Sequence, residues 1–231
     1  MKILKKFINY FSTVELALWS SSVLLILVSF LIFDKENYLI LIASLIGATA
    51  LIFCAKGNPF GQVAMIVFSS IYGYISFSYQ YYGEVLTYLG MTAPMAIFSL
   101  ISWLRHPYNG KKSQVKIKKL KGSEAIIMSI LTIFVTVIFY FVLKTFGTQN
   151  ILPSTLSVTT SFIAVFLTYK RSALYALAYA VNDIVLIVLW ILAAIEDISY
   201  LSVIICFIMF LINDLYGFIN WQRLYRRQNK L

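Results

Sequence analysis

The chain has 231 residues, of which 61% are hydrophobic and 12% are charged, and its formal net charge is +10. Soluble domains are about half apolar and a quarter charged, so this composition excludes an ordinary water-soluble fold. Apolar runs long enough to cross a bilayer recur along the whole length, without the alternating polarity of β-barrel strands. The chain is therefore predicted to be an all-α integral membrane protein.

Residues 1–15 combine three lysines with apolar side chains at helical spacing, which favours a short interfacial helix ahead of the first span. About eight spans are predicted after that segment, from the apolar runs and the polar turns between them. Their expected bounds are 16–33, 38–55, 62–81, 85–104, 124–145, 153–169, 173–195 and 199–221. The short linkers between them predict antiparallel neighbours.

The distribution of charge predicts the orientation. If the N-terminus is cytoplasmic, every lysine and arginine except Lys35 and Lys144 falls on the cytoplasmic side. This is the positive-inside pattern, and one span more or fewer would destroy it. The opposite turns are acidic, with Asp34, Glu36, Glu84, Glu196 and Asp197. We therefore expect a multi-pass protein of a bacterial plasma membrane, with both termini in the cytoplasm.

The longest and most basic connection is residues 105–122 (RHPYNGKKSQVKIKKLKG), which include the only histidine, His106. We expect His106 to be solvated and the loop to set topology and attract anionic lipid head groups. Because the positive charge lies in short loops, it does not indicate binding of nucleic acid. Cys54 and Cys206 lie within apolar runs, which is typical of small buried side chains. No P-loop, HExxH, GxGxxG or Cys/His cluster occurs, so no cofactor is predicted.

A weak internal repeat relates the two halves. A shift of 114 residues places Lys56 on Lys170, and a shift of 118 places Trp103 on Trp221. This predicts two parallel three-helix units joined by one linking helix, as in a full-length SWEET-like transporter with an extra N-terminal helix. The expected segments are an N-terminal interfacial segment with the first span (1–33), the first unit (38–104), the basic loop (105–122), the linking span (123–146), the second unit (153–223) and a basic cytoplasmic tail (224–231).

The last two spans carry polar groups that are costly to place in a bilayer unless they face a polar interior. Each has an Asn-Asp pair, and an ionised Asp at mid-membrane costs about 2.5–3.5 kcal/mol on insertion scales. Asp183 is predicted about 20 Å into the membrane from Lys170, at ~1.5 Å per residue. Helical spacing groups these polar and aromatic side chains on neighbouring stripes. The candidate binding residues are Tyr179, Asn182, Asp183, Trp190, Asn213, Asp214, Tyr216, Asn220 and Trp221.

Such a lining would suit a small polar solute that is cationic or aromatic. Carboxylates pair with cations or sugar hydroxyls, amides read other amides, and aromatic faces stack on flat rings. The first unit is expected to add gentler contacts from Gln62, Ser69 and Tyr72. Pro94 is expected to kink the fourth span. The competing interpretation is that the Asn and Asp side chains only join helices through interhelical hydrogen bonds.

Four segments resemble the PnuC family of vitamin-precursor transporters. They are YYGE (residues 81–84), SWLRHPY (102–108), YALAYAVNDIVLIVLW (175–190) and NDLYGFINW (213–221). The family's penultimate helix has Trp followed four residues later by Asn or Asp, a motif that falls here on Tyr179 and Asp183. The resemblance implies nicotinamide riboside as substrate, two three-helix bundles joined by a helix, and a possible homotrimer. It also implies facilitated diffusion by alternating access, with the solute trapped by cytoplasmic phosphorylation.

Alternatives remain open at this point. The solute could be another vitamin, such as thiamine or riboflavin, carried by a transporter or taken up through a binding subunit that needs an energising partner. Proton coupling through buried carboxylates is a variant. An intramembrane enzyme using Asp183 and Asp214 as an acid–base pair ranks last, because no nucleophile with a nearby base accompanies them.

Overall fold

The structure is a computed structural model, and it describes residues 10–78, 85–148 and 150–229. The predicted interfacial helix therefore lies largely outside the described residues, and so do the motif at 81–84 and the end of the basic tail. The helices are α1 (Thr13–Phe33), α2 (Tyr38–Ala55), α3 (Phe60–Ser78), α4 (Ala93–Arg105), α5 (Gly122–Thr145), α6 (Ile151–Tyr169), α7 (Tyr175–Ala194) and α8 (Leu201–Gln228). A π-helical turn (Leu86–Thr92) leads into α4, and a 3₁₀ turn (Ile198–Tyr200) leads into α8.

These helices confirm the prediction of an all-α membrane protein. Within the described residues, eight helical stretches are long and apolar enough to cross a bilayer. Their observed bounds agree with the predicted spans to within a few residues, except at the end of the last one. There α8 continues to Gln228, so most of the described part of 224–231 is helix rather than a free tail. Leu224 and Gln228 are buried, which fixes this last turn against the rest of the protein.

The basic connection 105–122 contains a small β-hairpin rather than an open loop. Strand β1 (Pro107–Tyr108) pairs antiparallel with β2 (Lys111–Val115). The turn between the strands uses Asn109 and Gly110, both at positive φ, which is the conformation that two-residue hairpins require. His106 is exposed, as predicted, and its Nδ1 lies 2.8 Å from the Ser102 carbonyl oxygen.

The disturbance predicted at Pro94 takes the form of the π-helical turn. A proline has no N–H to donate, and its ring crowds the carbonyl of the residue four positions earlier, here Gly90. The backbone N–H of Ala93 bonds instead to the carbonyl of Tyr88, five residues back. The regular α-helix therefore begins only at Ala93.

The two units meet in a reciprocal way. The last helix of each unit packs against the first helix of the other, α4 against α6 and α8 against α2. Helix α1 lies against α2 and α8, and α5 lies against α6. This arrangement encloses one core cluster around Trp103, Tyr175 and Trp221, and another around Phe68 and Phe210.

The corners between α2 and α3 and between α6 and α7 have the same local geometry at an offset of 114 residues. Gly57 and Arg171 both have a left-handed backbone, with φ of 67° and 57°. Three pairs of hydrogen bonds match. Gly57 N–H donates to Cys54 O as Arg171 N–H does to Thr168 O, and Asn58 N–H donates to Phe53 O as Ser172 N–H does to Leu167 O. Phe60 N–H donates to the Asn58 side chain as Leu174 N–H does to the Ser172 side chain. These matches support the repeat inferred from the sequence.

Both of these corners lie at one end of the helix bundle, which we call the basic end. The hairpin segment contacts Gly57, Arg171 and Gln228 together, so both corners, the hairpin and the end of α8 share this end. Glu15, at the start of α1, also lies there, with its carboxylate 2.8 Å from the Lys56 ammonium. The described starts and ends of the chain are therefore on the same side, as an even number of spans requires.

Candidate functional site

Two carboxyl groups face each other inside the helix bundle. Asp183, near the middle of α7, is 4% exposed, and Asp214 of α8 is 3% exposed. Their side chains lie within hydrogen-bonding reach of one another. Gly217, one turn beyond Asp214, faces α7, where an added Cβ would lie 3.4 Å from the Cβ of Ala176. A hydrogen bond between two carboxyl groups needs one proton, so the pair can hold a proton or, when ionised, a cation.

Two hydrogen-bond acceptors near the carboxyl pair lack partners among the described residues. Among the described residues, neither Asp183 Oδ2 nor Asn213 Oδ1 has a hydrogen-bond partner, and both atoms are buried. Leaving a buried acceptor unpaired costs about 1–3 kcal/mol, and more for a charged group. Buried polar groups are nearly always paired in folded proteins, so an unpaired carboxylate oxygen marks a candidate ligand position.

Asn182 is held by the neighbouring helix of its own unit. Its Oδ1 accepts hydrogen bonds from the hydroxyl groups of Thr160 at 2.8 Å and Ser161 at 3.0 Å. The polar run on α6 thus fixes the amide of Asn182, whose NH₂ group is left as the donor. Asn182 therefore joins two helices, as the competing interpretation expected, and still presents a donor.

The stripe of Asn213, Tyr216 and Asn220 faces the first two helices. Asn213 donates to Ser22 Oγ of α1 at 2.8 Å, and Asn220 donates to the Ala55 carbonyl at the end of α2 at 2.9 Å. The hydroxyl of Tyr216 donates to the Glu15 carboxylate at 3.1 Å. Sequence reasoning did not identify these two partners on α1. The signal for Glu15 was present, because Ser12 followed by Glu15 is a helix-capping pattern at the start of an apolar run.

Trp221 and its counterpart Trp103 close the basic end. Both indoles are fully buried, and their ring centroids are 5.3 Å apart. Trp103 Nε1 donates to the Thr168 carbonyl at 3.0 Å, and Trp221 Nε1 donates to the Cys54 carbonyl at 2.8 Å. Each tryptophan therefore bonds from the last helix of its unit to the first helix of the other. Tyr175 packs on Trp221, with ring centroids 4.5 Å apart.

A small cavity lies between the two units, on the side of the tryptophans that faces the middle of the bundle. Gln62 and Tyr179 line it from opposite units, which places two predicted residues together. The remaining lining residues are Met65, Thr92, Met95, Ala96, Ser99, Val165 and Thr168. The cavity has room for about one water molecule. Gln62 is buried, and its Nε2 donates to Cys54 Sγ at 3.3 Å.

The other predicted residues lie between the level of the aspartate pair and the opposite end. Ser69 is fully buried and donates to the Met65 carbonyl of its own helix. Tyr72 belongs to an aromatic cluster, with its ring centroid 4.8 Å from that of Phe68. Trp190 packs on this cluster and on Tyr200, with ring centroids 5.3 Å apart. Tyr72 and Trp190 therefore belong to an apolar layer on the far side of the aspartate pair, whereas Ser69 lies at the level of that pair.

Within residues 10–78, 85–148 and 150–229, no group of three or more His, Cys, Asp or Glu side chains is arranged to hold a metal ion. The features brought together are thus a carboxyl pair, a fixed amide and two aromatic layers, one toward each end.

Comparisons with known proteins agree with the resemblance noted above. The family model for nicotinamide mononucleotide transporters matches residues 37–223. The nicotinamide riboside transporter PnuC of Neisseria mucosa is 24% identical over 202 residues, which cover 86% of this chain and 77% of that protein. The crystal structure of the vitamin B3 transporter PnuC has the same fold, with a TM-score of 0.81 at 23% identity, covering 95% of this chain and 94% of that one. The chain therefore belongs to the nicotinamide mononucleotide transporter family, a family of membrane transporters.

Proposed function

We propose that this chain imports nicotinamide riboside, which it binds between the two units at the level of Asp183 and Asp214. The observation that carries the proposal is the buried carboxyl pair with its unpaired Asp183 Oδ2. A cationic solute would supply the missing partner inside the membrane. The relative from Neisseria mucosa is named for the same substrate, which supports the choice.

The chemistry around the pair suits a pyridinium nucleoside. Its positive ring would be balanced by a carboxylate and covered by an aromatic face, for which Tyr179 is the candidate. The free NH₂ group of Asn182 would donate to the carboxamide or to a ribose hydroxyl. Gln62, Asn213 and the remaining predicted residues are proposed to contribute as the site opens.

The same chemistry disfavours the phosphorylated nucleotide after which the family is named. No Lys or Arg is among the residues that line the cavity. A phosphate would bring negative charge toward two carboxyl groups with no compensating cation, which is costly in a low-dielectric site. We therefore infer that nicotinamide riboside is carried and nicotinamide mononucleotide is rejected.

Transport requires the units to move, because the cavity is far smaller than a nucleoside. We infer alternating access, in which the tryptophan layer at the basic end and the aromatic layer at the other end part in turn. No ATP or ion gradient is needed, since a cation is driven inward by about 2.3 kcal/mol per 100 mV of membrane potential. Cytoplasmic phosphorylation of the nucleoside would then trap it.

The setting of this activity is also a proposal. The basic end is placed in the cytoplasm of a bacterial cell by the positive-inside pattern, with both termini inside. A homotrimer surrounded by membrane lipids is the expected assembly. The molar mass of the purified chain, measured by multi-angle light scattering, tests the assembly.

Calorimetry on the detergent-purified chain tests the substrate. Nicotinamide riboside should bind, while nicotinamide mononucleotide, nicotinamide, thiamine and riboflavin should not. Replacement of Asp183 by Asn should abolish binding and uptake into liposomes. The control is Glu36→Gln, which removes an exposed carboxylate between α1 and α2 and should leave both unchanged.

Preference for another vitamin would overturn the substrate and keep the transporter. Equal binding by the Asp183→Asn variant would remove the carboxyl pair from the site.

A further inference from the structure

We propose that residues 115–118, which begin at the last residue of β2 and which we call the strap, are the latch of the basic-end gate. The inference rests on the proposed function, since it concerns how the same site opens to the cytoplasm. In this proposal the strap holds the two units together while the basic end is closed. Opening begins where the strap leaves the first unit, at the contact between Val115 and Gly57.

The strap bridges the two units through equivalent backbone positions. Val115 N–H donates to the Gly57 carbonyl at 2.9 Å, and Lys118 N–H donates to the Arg171 carbonyl at 3.0 Å. Gly57 and Arg171 are the two left-handed corner residues that match each other at the repeat offset. Four consecutive residues thus connect the same point of both units, and the units cannot separate at this end without breaking one of these bonds.

The strap also packs between the end of α8 and the core cluster around Trp221. Gln228 accepts from Ile117 N–H at 2.8 Å and donates to the Val115 carbonyl at 3.0 Å. The side chains of Val115 and Ile117 are 0% and 3% exposed, in the cluster that contains Trp221. A connection that served only topology would not need to bury its apolar side chains or to engage a buried glutamine.

The bonds are unequal, and this predicts which side releases. Toward the second unit the strap has the Arg171 bond and both Gln228 bonds. Glu124 also lies 2.8 Å from the Lys118 ammonium and 3.4 Å from that of Lys170. Toward the first unit it has two backbone bonds, from Val115 N–H to Gly57 and from Lys116 N–H to the His106 carbonyl just after α4 at 2.8 Å, and no ion pair. The strap is therefore expected to stay with the second unit and to part from Gly57.

The test uses a native thiol as reporter. Cys54 is 3% exposed in the cluster that the strap covers, and Cys206 is 2% exposed in the other core cluster. With Cys206 replaced by Ala, a water-soluble maleimide reports only the opening that reaches Cys54. With Cys54 replaced by Ala instead, it reports opening toward Cys206.

Gly57→Ala is the perturbation. The backbone there has φ of 67°, and an added Cβ would lie 3.2 Å from Val115 Cγ1, so the substitution pushes on the releasing contact. Gly110→Ala is the matched control, because Gly110 has φ of 74° at the hairpin tip and nothing within 4 Å of the added atom. Gln228→Ala is a second variant, which loosens the strap without backbone strain.

Without any substrate, Gly57→Ala should speed labelling of Cys54 roughly two- to tenfold, the effect of one lost hydrogen bond on an opening equilibrium, and Gln228→Ala, which removes two bonds, should speed it roughly five- to a hundredfold. Gly110→Ala should not change it, and Cys206 should not become more reactive in any variant. Unchanged Cys54 labelling in both strap variants, or an equal gain at Cys206, would overturn the latch.

A reversible lock then tests the gate in transport. An added Cβ at Gly57 would lie 3.2 Å from Val115 Cγ1, so cysteines at these two positions, in a chain lacking Cys54 and Cys206, can be joined as a disulfide across the releasing contact by a copper–phenanthroline oxidant. Joining them should stop uptake of nicotinamide riboside, and a reductant should restore it. Uptake that continues when they are joined would refute the latch. Absence of uptake and of binding before joining would refute the proposed function instead, and the Cys54 labelling would still decide the latch.

Discussion

The tryptophan bonds that cross between the units should be worth a measurable part of the protein's stability. Trp221→Phe keeps an aromatic ring but removes the donor to the Cys54 carbonyl, which lies 2.8 Å away in a fully buried position. That carbonyl also accepts from Gly57 N–H at 2.8 Å, so it is not left bare, and the lost bond costs about 0.5–1.5 kcal/mol. The smaller ring leaves a cavity that adds about 1 kcal/mol.

The sum of about 1.5–2.5 kcal/mol corresponds to a fall in Tm of roughly 3–10 °C for a chain of this length. Thermal melting in detergent, followed by intrinsic fluorescence or light scattering, measures it. Trp103→Phe should give a similar fall, since its bond to Thr168 is the repeat equivalent. The rings of Trp103 and Trp221 are in contact, so the double variant should lose less than the sum of the two.

Trp19→Phe is the matched control. Its indole donates to the hydroxyl of Thr49 at 3.1 Å, between α1 and α2 rather than across the two units. That hydroxyl keeps its own bond to the Leu45 carbonyl. A fall in Tm for Trp221→Phe no larger than the fall for Trp19→Phe would refute the view that the crossing bonds fasten the basic end.

Two further outcomes are expected. Glu15→Gln should destabilise the chain more than Glu124→Gln, because Glu15 is 3% exposed against 15% for Glu124. Breaking a fully buried pair costs roughly 3–5 kcal/mol, an upper bound here, whereas an exposed pair is worth about 0.2–1 kcal/mol. Melting at low and high salt separates them, and an equal loss in both would contradict the argument. Thr160→Val should weaken binding of nicotinamide riboside roughly two- to tenfold in calorimetry, because Asn182 then keeps only Ser161 to fix its amide; unchanged affinity would show that the amide does not read the solute.

The eight spans could be predicted because each depends on local composition alone. A helix needs about 20 apolar residues to cross a bilayer, so each span is visible in the hydrophobicity of its own segment. The expected side of each turn then follows from the lysines and arginines that it contains. The tryptophan correspondence could also be predicted, since Trp103 and Trp221 match at a fixed shift and turned out to make equivalent bonds.

The contacts of each polar stripe could not be predicted in the same way. Helical spacing places Asn213 and Asp214 on adjoining stripes, but it does not say which neighbour covers each stripe. Helix α8 packs on α1, α2 and α7 at once, so Asn213 meets Ser22 while Asp214 meets Asp183. The strap was missed for a related reason. Its alternation of Val115, Lys116 and Ile117 is a strand pattern, but its high charge made an open loop the simpler prediction.

The two helices outside the predicted three-helix units, α1 and α5, begin with equivalent contacts. Glu15 accepts from Ser12 N–H at the start of α1, and Glu124 accepts from Lys121 N–H at the start of α5. Each carboxylate also contacts the lysine that follows the first helix of the next unit, Lys56 for Glu15 and Lys170 for Glu124.

The starts of α1 and α5 therefore make equivalent contacts with the first helix of the unit that follows each of them. This explains why the two lysines match in the sequence although neither reaches the central cavity. Each lysine fastens its unit to the helix that precedes it. The contacts that join one unit to the other, and that must break when the units separate, are the crossing tryptophans and the strap.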